Sequence, residues 1–197
     1  MSDILYAQKA FSKLLDVEYE FILGRKNKSI SLILEFQKIH FFHIAGLQHL
    51  KDLPRLSISA EDVYNQIESG QLSVNYIESS INYGFIRKRI ECLLKLEQFF
   101  DSNDTVFRYN PALHAFSVIE ADFIMKNMID SIPVFAFVSK GKNGKYFCKS
   151  FFSDIKKDYT ERQEKWTLLF KKKSLKSGNT EIVLYKHKTF EFTNHLG

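Results

Sequence analysis

The chain has 197 residues, 28 Lys+Arg against 23 Asp+Glu, a formal net charge of +5, and 45% hydrophobic and 15% aromatic content. That length can bury a sizeable core, and the apolar content excludes a disordered or fibrous chain. Two cysteines, Cys92 and Cys148, exclude a disulfide scaffold or a four-thiolate zinc site, no apolar run reaches the ~18 residues of a membrane span, and Met1-Ser2-Asp3-Ile4 starts no secretion signal, so the expectation is one reduced, cytoplasmic domain over 1–197.

In chain order, Asp3 as N-cap followed by Ile4, Leu5, Phe11, Leu14 and Leu15 predicts a short helix over 3–15. Tyr19, Phe21 and Leu23 alternate, Gly24–Lys28 turns, and Ile30, Leu32, Leu34 and Phe36 alternate again. That is a half-buried antiparallel hairpin. Ile39, Phe42, Gly46, Leu47, Leu50 and Leu53 recur at three and four before Pro54, as in a helix. Ser59-Ala60-Glu61-Asp62 opens another helix, which Gly70 stops. A longer helix is expected over 73–101, with Arg87-Lys88-Arg89 turned outward. Thr105–Tyr109 reads as a short strand, and 116–129 is apolar but ambiguous. Val134–Val138 and Tyr146–Phe152 flank Gly141-Lys142-Asn143-Gly144, and Trp166–Lys172 and Ile182–Lys188 flank Ser177-Gly178-Asn179, giving two further hairpins. The expected class is α+β, with middle helices packed on an antiparallel sheet built from hairpins.

Charge is unevenly spread. Residues 140–197 hold 14 Lys+Arg against 6 Asp+Glu, a net of +8, whereas residues 1–139 hold 14 against 17, a net of −3. Either one face meets a polyanion, or the lysines are a solvated exterior. There is no P-loop, dinucleotide fingerprint, Gly-x-Ser-x-Gly elbow or His-Glu-x-x-His helix. No metal site is expected, because carboxylates do not cluster near the six histidines, although His40 and His43 share one side of a helix.

The stretch Phe41-Phe42-His43-Ile44-Ala45-Gly46-Leu47-Gln48-His49-Leu50-Lys51-Asp52-Leu53 resembles the F-x-H-hydrophobic-x-G-L-x-x-L-x-D signature of phage-associated Barnase–EndoU–Colicin–RelE-like nucleases, the fourth phage subfamily. Tyr19-Glu20-Phe21, Ile119–Ile124 and the Tyr146–Phe152 strand, similar to the family's Y-x-x-x-S-F-F, agree in order, so the resemblance spans about 17–188. It implies a compact ribonuclease that needs neither metal nor cofactor, because RNA carries its own nucleophile, the 2′-hydroxyl. Such an enzyme must take that proton, stabilise charge on phosphorus and protonate the leaving oxygen.

Matched to those tasks, His43 is the first candidate for acid or base; its alternative is a buried, hydrogen-bonded core histidine. Ser150 and Tyr146 are the hydroxyl donors, placed on one strand face with Cys148 and Phe152 by period two, with Lys149 opposite; alternatively both hydroxyls cap a sheet edge. Lys51, His49, Arg162 and Lys171 are candidates for substrate binding, or else ordinary surface residues. The expected partner is RNA, with an antitoxin or immunity protein as a second, and no membrane. Three readings stand: a metal-independent ribonuclease acting as toxin or phage-defence effector, a non-catalytic RNA-binding module, or a protein-interaction domain.

Overall fold

Alternating burial along Val17, Tyr19, Phe21 and Leu23 makes β1 (Val17–Arg25), and β2 (Lys28–Glu35) returns beside it. The turn is the two residues Lys26 and Asn27, at φ 47° and 61°, the positive pair that a tight hairpin matched to strand twist requires. A computed structural model describes residues 3–102, 105–114, 119–178 and 180–191. Before the hairpin lies α1 (Asp3–Ser12), continued by one 3₁₀ turn over Lys13–Asp16. After it come α2 (Lys38–Ile44), α3 (Ala60–Glu68), α4 (Val74–Glu78), α5 (Tyr83–Leu93) and α6 (Leu96–Asp101). The strands β3 (Thr105–Arg108), β4 (Phe123–Ile129), β5 (Ile132–Lys140), β6 (Tyr146–Ser153), β7 (Glu164–Leu175) and β8 (Thr180–Lys186) complete the order. No helix among the described residues is long and apolar enough to cross a membrane.

The α+β class holds, but the antiparallel sheet of hairpins is corrected. The strand order β1-β2-β6-β5-β4-β3-β7 returns to β1 through a β1–β7 pairing, closing a seven-stranded mixed barrel with β8 attached to β7. Closure depends on the length of β7. Its twelve residues pair with β1 along 167–175, while β3 takes its first residues and β8 its last. On the other side of the barrel, β2 and β6 run parallel and meet at Leu34–Tyr146. Beyond that bridge β2 has become α2, and α2 and α5 lie along β6 instead of a strand. A hairpin that sequence reading left ambiguous, β4–β5, turns on Asp130 and Ser131, at φ 50° and 64°. Neither is a glycine, so the turn carries no local signature. Residues 116–118 and Asn179 lie outside the described residues.

The expected helices are also cut shorter. The one expected over 73–101 is three, and the first break has a local cause: the Asp52 carboxylate accepts from the Ser80 hydroxyl at 2.6 Å and from the Ile81 N–H at 3.0 Å. A side chain that captures backbone donors competes with the helix for them. The Asp52 carboxyl is held below its usual range by the bond from Ser80, which outweighs burial, helped by those from Ile81 and Asn82. The helix read over 39–53 ends at Ile44, because Gly46 takes the left-handed conformation at φ 81° and a 3₁₀ turn over Leu47–His49 follows. Ser59 caps α3 as expected, accepting from the Asp62 N–H at 3.1 Å.

One large core runs through the barrel interior to the helices, with Tyr19, Phe21 and Leu23 meeting Phe11, Phe41, Phe99 and Phe100. A smaller cluster, Tyr109, Ile124, Phe135, Phe137 and Phe152, occupies the opposite face of β4–β6 beneath Tyr159. The candidate site lies where the two meet, at the edge of β6 that β2 leaves uncovered.

Candidate active site

Helix α2 begins with a reciprocal cap. The Gln37 side chain accepts from the His40 backbone, and the Gln37 N–H donates to His40 Nδ1 at 3.1 Å. With Nδ1 accepting, the imidazole proton sits on Nε2. The ring stacks on Phe147, centroids 4.7 Å apart and planes 14° from parallel. Burial, which Glu35 partly offsets and His43 reinforces, pushes the His40 imidazole down to about 4. His40 is therefore a neutral N–H donor at pH 7. One turn on, His43 is exposed, so the core-histidine alternative fails; its ring stands edge-on to Phe42.

Gly46 permits the next close approach. Besides its positive φ, a Cβ there would lie 3.1 Å from both Arg89 Cδ and Ile86 Cγ2, so α5 seats against this turn because the residue is glycine. Past it, the Gln48 amide nitrogen is 3.2 Å from His49 Nε2, and Gln48 Oε1 is buried without a hydrogen-bond partner among the described residues. Burial, followed by Arg89 and Lys51, lowers the affinity of His49 for a proton.

Strand β6 supplies Ser150 by an irregularity invisible to period-two reading. Phe137 pairs with Ser150 but Val138 pairs with Cys148, so Lys149 is the extra residue of a β-bulge. Side-chain parity reverses there: Tyr146 and Cys148 face the large core, whereas Phe152 belongs to the smaller cluster. The placement of Ser150 on one face with Tyr146 and Cys148 is thus corrected, because the inserted residue shifts every later side chain to the other face. Tyr146 packs edge-on to Phe123 and lines a neighbouring groove with Glu35, His43 and Lys145. In that groove burial tends to raise the Glu35 carboxyl, but hydrogen bonds from Asn143 and Gln37 and the charge of Lys145 outweigh it and hold it low. The Cys148 thiol is buried and pushed up by burial.

His40, His43, His49, Ser150, Lys149 and Arg89 line one cavity of about 380 Å³. Of the sequence candidates, the fold brings together His43, His49 and Ser150. Arg89 is the residue that sequence reading places, with Arg87 and Lys88, on an exposed helix face or along an RNA track, and not among the site residues. In Arg87-Lys88-Arg89, successive residues point ~100° apart, so they cannot all face outward. Arg87 pairs with Glu91 at 3.1 Å, Lys88 is exposed, and Arg89, between buried Ile86 and Ile90, turns in. Its guanidinium lies 5.0 Å over the Phe152 ring, and burial lowers its proton affinity. Among the described residues no carboxylate pairs with it, and none lines the cavity.

The other candidates fall elsewhere. Lys51 is exposed beside His49. Arg162 is exposed in the β6–β7 connection, at φ 60°, and pairs with Glu161 at 3.8 Å. Lys171 as a substrate contact is corrected: it is fully buried, donates to the Ser102 carbonyl and lies 5.2 Å from the Phe21 ring centroid. Its strand position points it inward with Lys173, and no substrate reaches it. No group of three or more His, Cys, Asp or Glu side chains among the described residues is arranged to hold a metal ion.

The model of the family described as phage-Barnase-EndoU-ColicinE5/D-RelE like nuclease4 matches residues 3–188. No curated protein and no solved structure matches the chain.

Proposed function

The chain belongs to this phage-associated nuclease family, and from that premise we propose that it is a metal-independent endoribonuclease that cleaves RNA by attack of a 2′-hydroxyl on the adjacent phosphate. The observation that carries the reading is Arg89, a half-buried guanidinium without a carboxylate partner among the described residues, in the same cavity as His43 and Ser150. A cation so placed is uncompensated in the free protein and suits a phosphate, which it can hold bidentately. His43, exposed at the mouth, transfers a proton. The Ser150 hydroxyl, the His40 Nε2–H and Arg89 donate to the phosphoryl oxygens as charge develops there. The 2′-oxygen loses its proton and bonds to phosphorus, the bond from phosphorus to the 5′-oxygen breaks, and that oxygen is protonated. The products are a 2′,3′-cyclic phosphate and a 5′-hydroxyl. Tyr146 shares the neighbouring groove with His43 and does not line this cavity.

Purified protein should cleave RNA in EDTA, leave a 2′,3′-cyclic end and spare a strand with 2′-deoxyribose at the scissile position. His43→Ala should cost about 10²-fold or more in rate with an unchanged melting temperature, since the residue is exposed. A well-folded His43→Ala protein cleaving at the wild-type rate would remove His43 from the mechanism. Failure of the folded wild type to cut total transfer or messenger RNA would leave the RNA-binding module. The proposal extends to a role as toxin or phage-defence effector, and its test is growth arrest on expression, relieved by His43→Ala.

A further inference from the structure

Phe85 is 67% exposed, and Ile81, four residues earlier, is 87% exposed. Large apolar side chains so placed are not holding the fold together. The Phe85 ring meets His49 edge-on, centroids 5.2 Å apart, which puts it at the rim of the cavity. It lies one turn before Arg89 on α5, so the two side chains share a helix face about 6 Å apart along the axis. The platform is also rigid. Asp52 pins Ser80 and Ile81, and the Phe85 N–H bonds to the Asn82 carbonyl at 3.0 Å, fixing the first turn of α5.

We propose that Phe85 is a stacking platform for a nucleobase flanking the phosphate that Arg89 holds, which makes single-stranded RNA the substrate of this cavity. The inference rests on the ribonuclease reading and deepens it. Charge complementarity selects the occupant: the rim leads into a cavity lined by Arg89 and three histidines with no carboxylate among its described residues, which suits a phosphodiester chain. An open aromatic face beside that anion site matches a base, because stacking needs only a π surface and tolerates any sequence. A paired base already has both faces covered by its neighbours in the duplex, so the platform takes unpaired nucleotides.

The test uses a short 2′-O-methyl oligoribonucleotide, which cannot be cleaved, read by fluorescence anisotropy with the full chain. Phe85→Ala should weaken binding about tenfold, in the range measured for one stacked base. Phe85→Trp should restore it, whereas Phe85→Leu, apolar but without a π face, should not. A single abasic position should cost the wild type a similar factor and cost Phe85→Ala little, and binding of the fully paired oligonucleotide should be unaffected by any of the three substitutions. Wild-type affinity in Phe85→Ala, or full rescue by Phe85→Leu, would overturn the platform. If at the same time Arg89→Ala abolishes binding and the wild type cleaves RNA, the ribonuclease reading stands alone. No binding by the wild type would overturn both.

Discussion

Two groups of cations in this molecule meet opposite fates. On β7, Lys171 is buried against the Ser102 carbonyl, Lys172 reaches Glu181 at 2.7 Å and Glu20 at 3.4 Å, and Lys173 reaches Glu97 at 2.8 Å and Asp101 at 3.0 Å. The bond to Glu181 raises Lys172 above its usual range. Burial opposes the charge on Lys173, but its bonds to Glu97 and Asp101 outweigh that and raise it too. In the cavity between α2, α5 and β6 the shifts run the other way: His40, His49 and Arg89 are all lowered, with burial the first cause in each. The lysine run lies in the half of the chain with net charge +8, and Arg89 in the half with −3. Net charge therefore does not distinguish cations that already have counter-ions from those that do not. What prepares a surface for an anion is a cation without a counter-ion, and pairing is a property of the fold.

The largest effect should come from Arg89→Ala, which removes a cation that has no carboxylate partner among the described residues: cleavage should fall about 10²–10³-fold, as when one preorganised donor to a developing oxyanion is lost, with little change in melting temperature. Arg89→Lys should recover only part of the loss, because an ammonium cannot hold a phosphate bidentately. Comparable loss of activity from a β7 lysine would break the comparison. Lys173→Ala is that control. It leaves Glu97 and Asp101 facing each other beside the Tyr19 hydroxyl, which donates to Asp101 at 2.6 Å. The cost should be about 2 kcal/mol, below that of breaking a fully buried pair because both carboxylates are partly exposed. That corresponds to a melting temperature lower by roughly 4–8 °C, with unchanged cleavage by the folded fraction.

Stability against pH sharpens the contrast. His40 takes its proton near 6.5 when unfolded but only at about 4 when folded, so in between the unfolded chain binds more protons and stability rises with pH. The contribution is fully present above pH 6.5 and is lost as pH falls towards 4. Its size is roughly 1–2 kcal/mol after allowance for partial exposure. His40→Asn should flatten the melting-temperature profile over that window; a wild-type profile already flat there would contradict the neutral, half-buried imidazole. The smallest effect concerns His49, where Arg89 precedes Lys51 among the charges that depress it. In an NMR titration Lys51→Ala should raise the His49 pKa slightly and Arg89→Ala more; the reverse order would place Arg89 outside the cavity.

Much of this was legible in the residues. Alternation fixed β1–β2, β5–β6 and β7–β8, Ser59 and Gly70 bounded α3, and the stretch from Phe41 to Leu53 carried the family and His43. Each is a local pattern, and local patterns survive any tertiary arrangement that keeps the element. Barrel closure, the bulge at Lys149 that turns Ser150 into the cavity, the capture of Ser80 and Ile81 by Asp52, and the inward turn of Arg89 were decided by tertiary structure alone. Each depends on partners distant in sequence: β7 meeting β1, β5 registering against β6, Asp52 reaching 28 residues along the chain. Periodicity within one segment cannot encode an inserted residue that only its neighbour strand reveals, and the sequence states how many charges there are without stating which of them find a counter-ion.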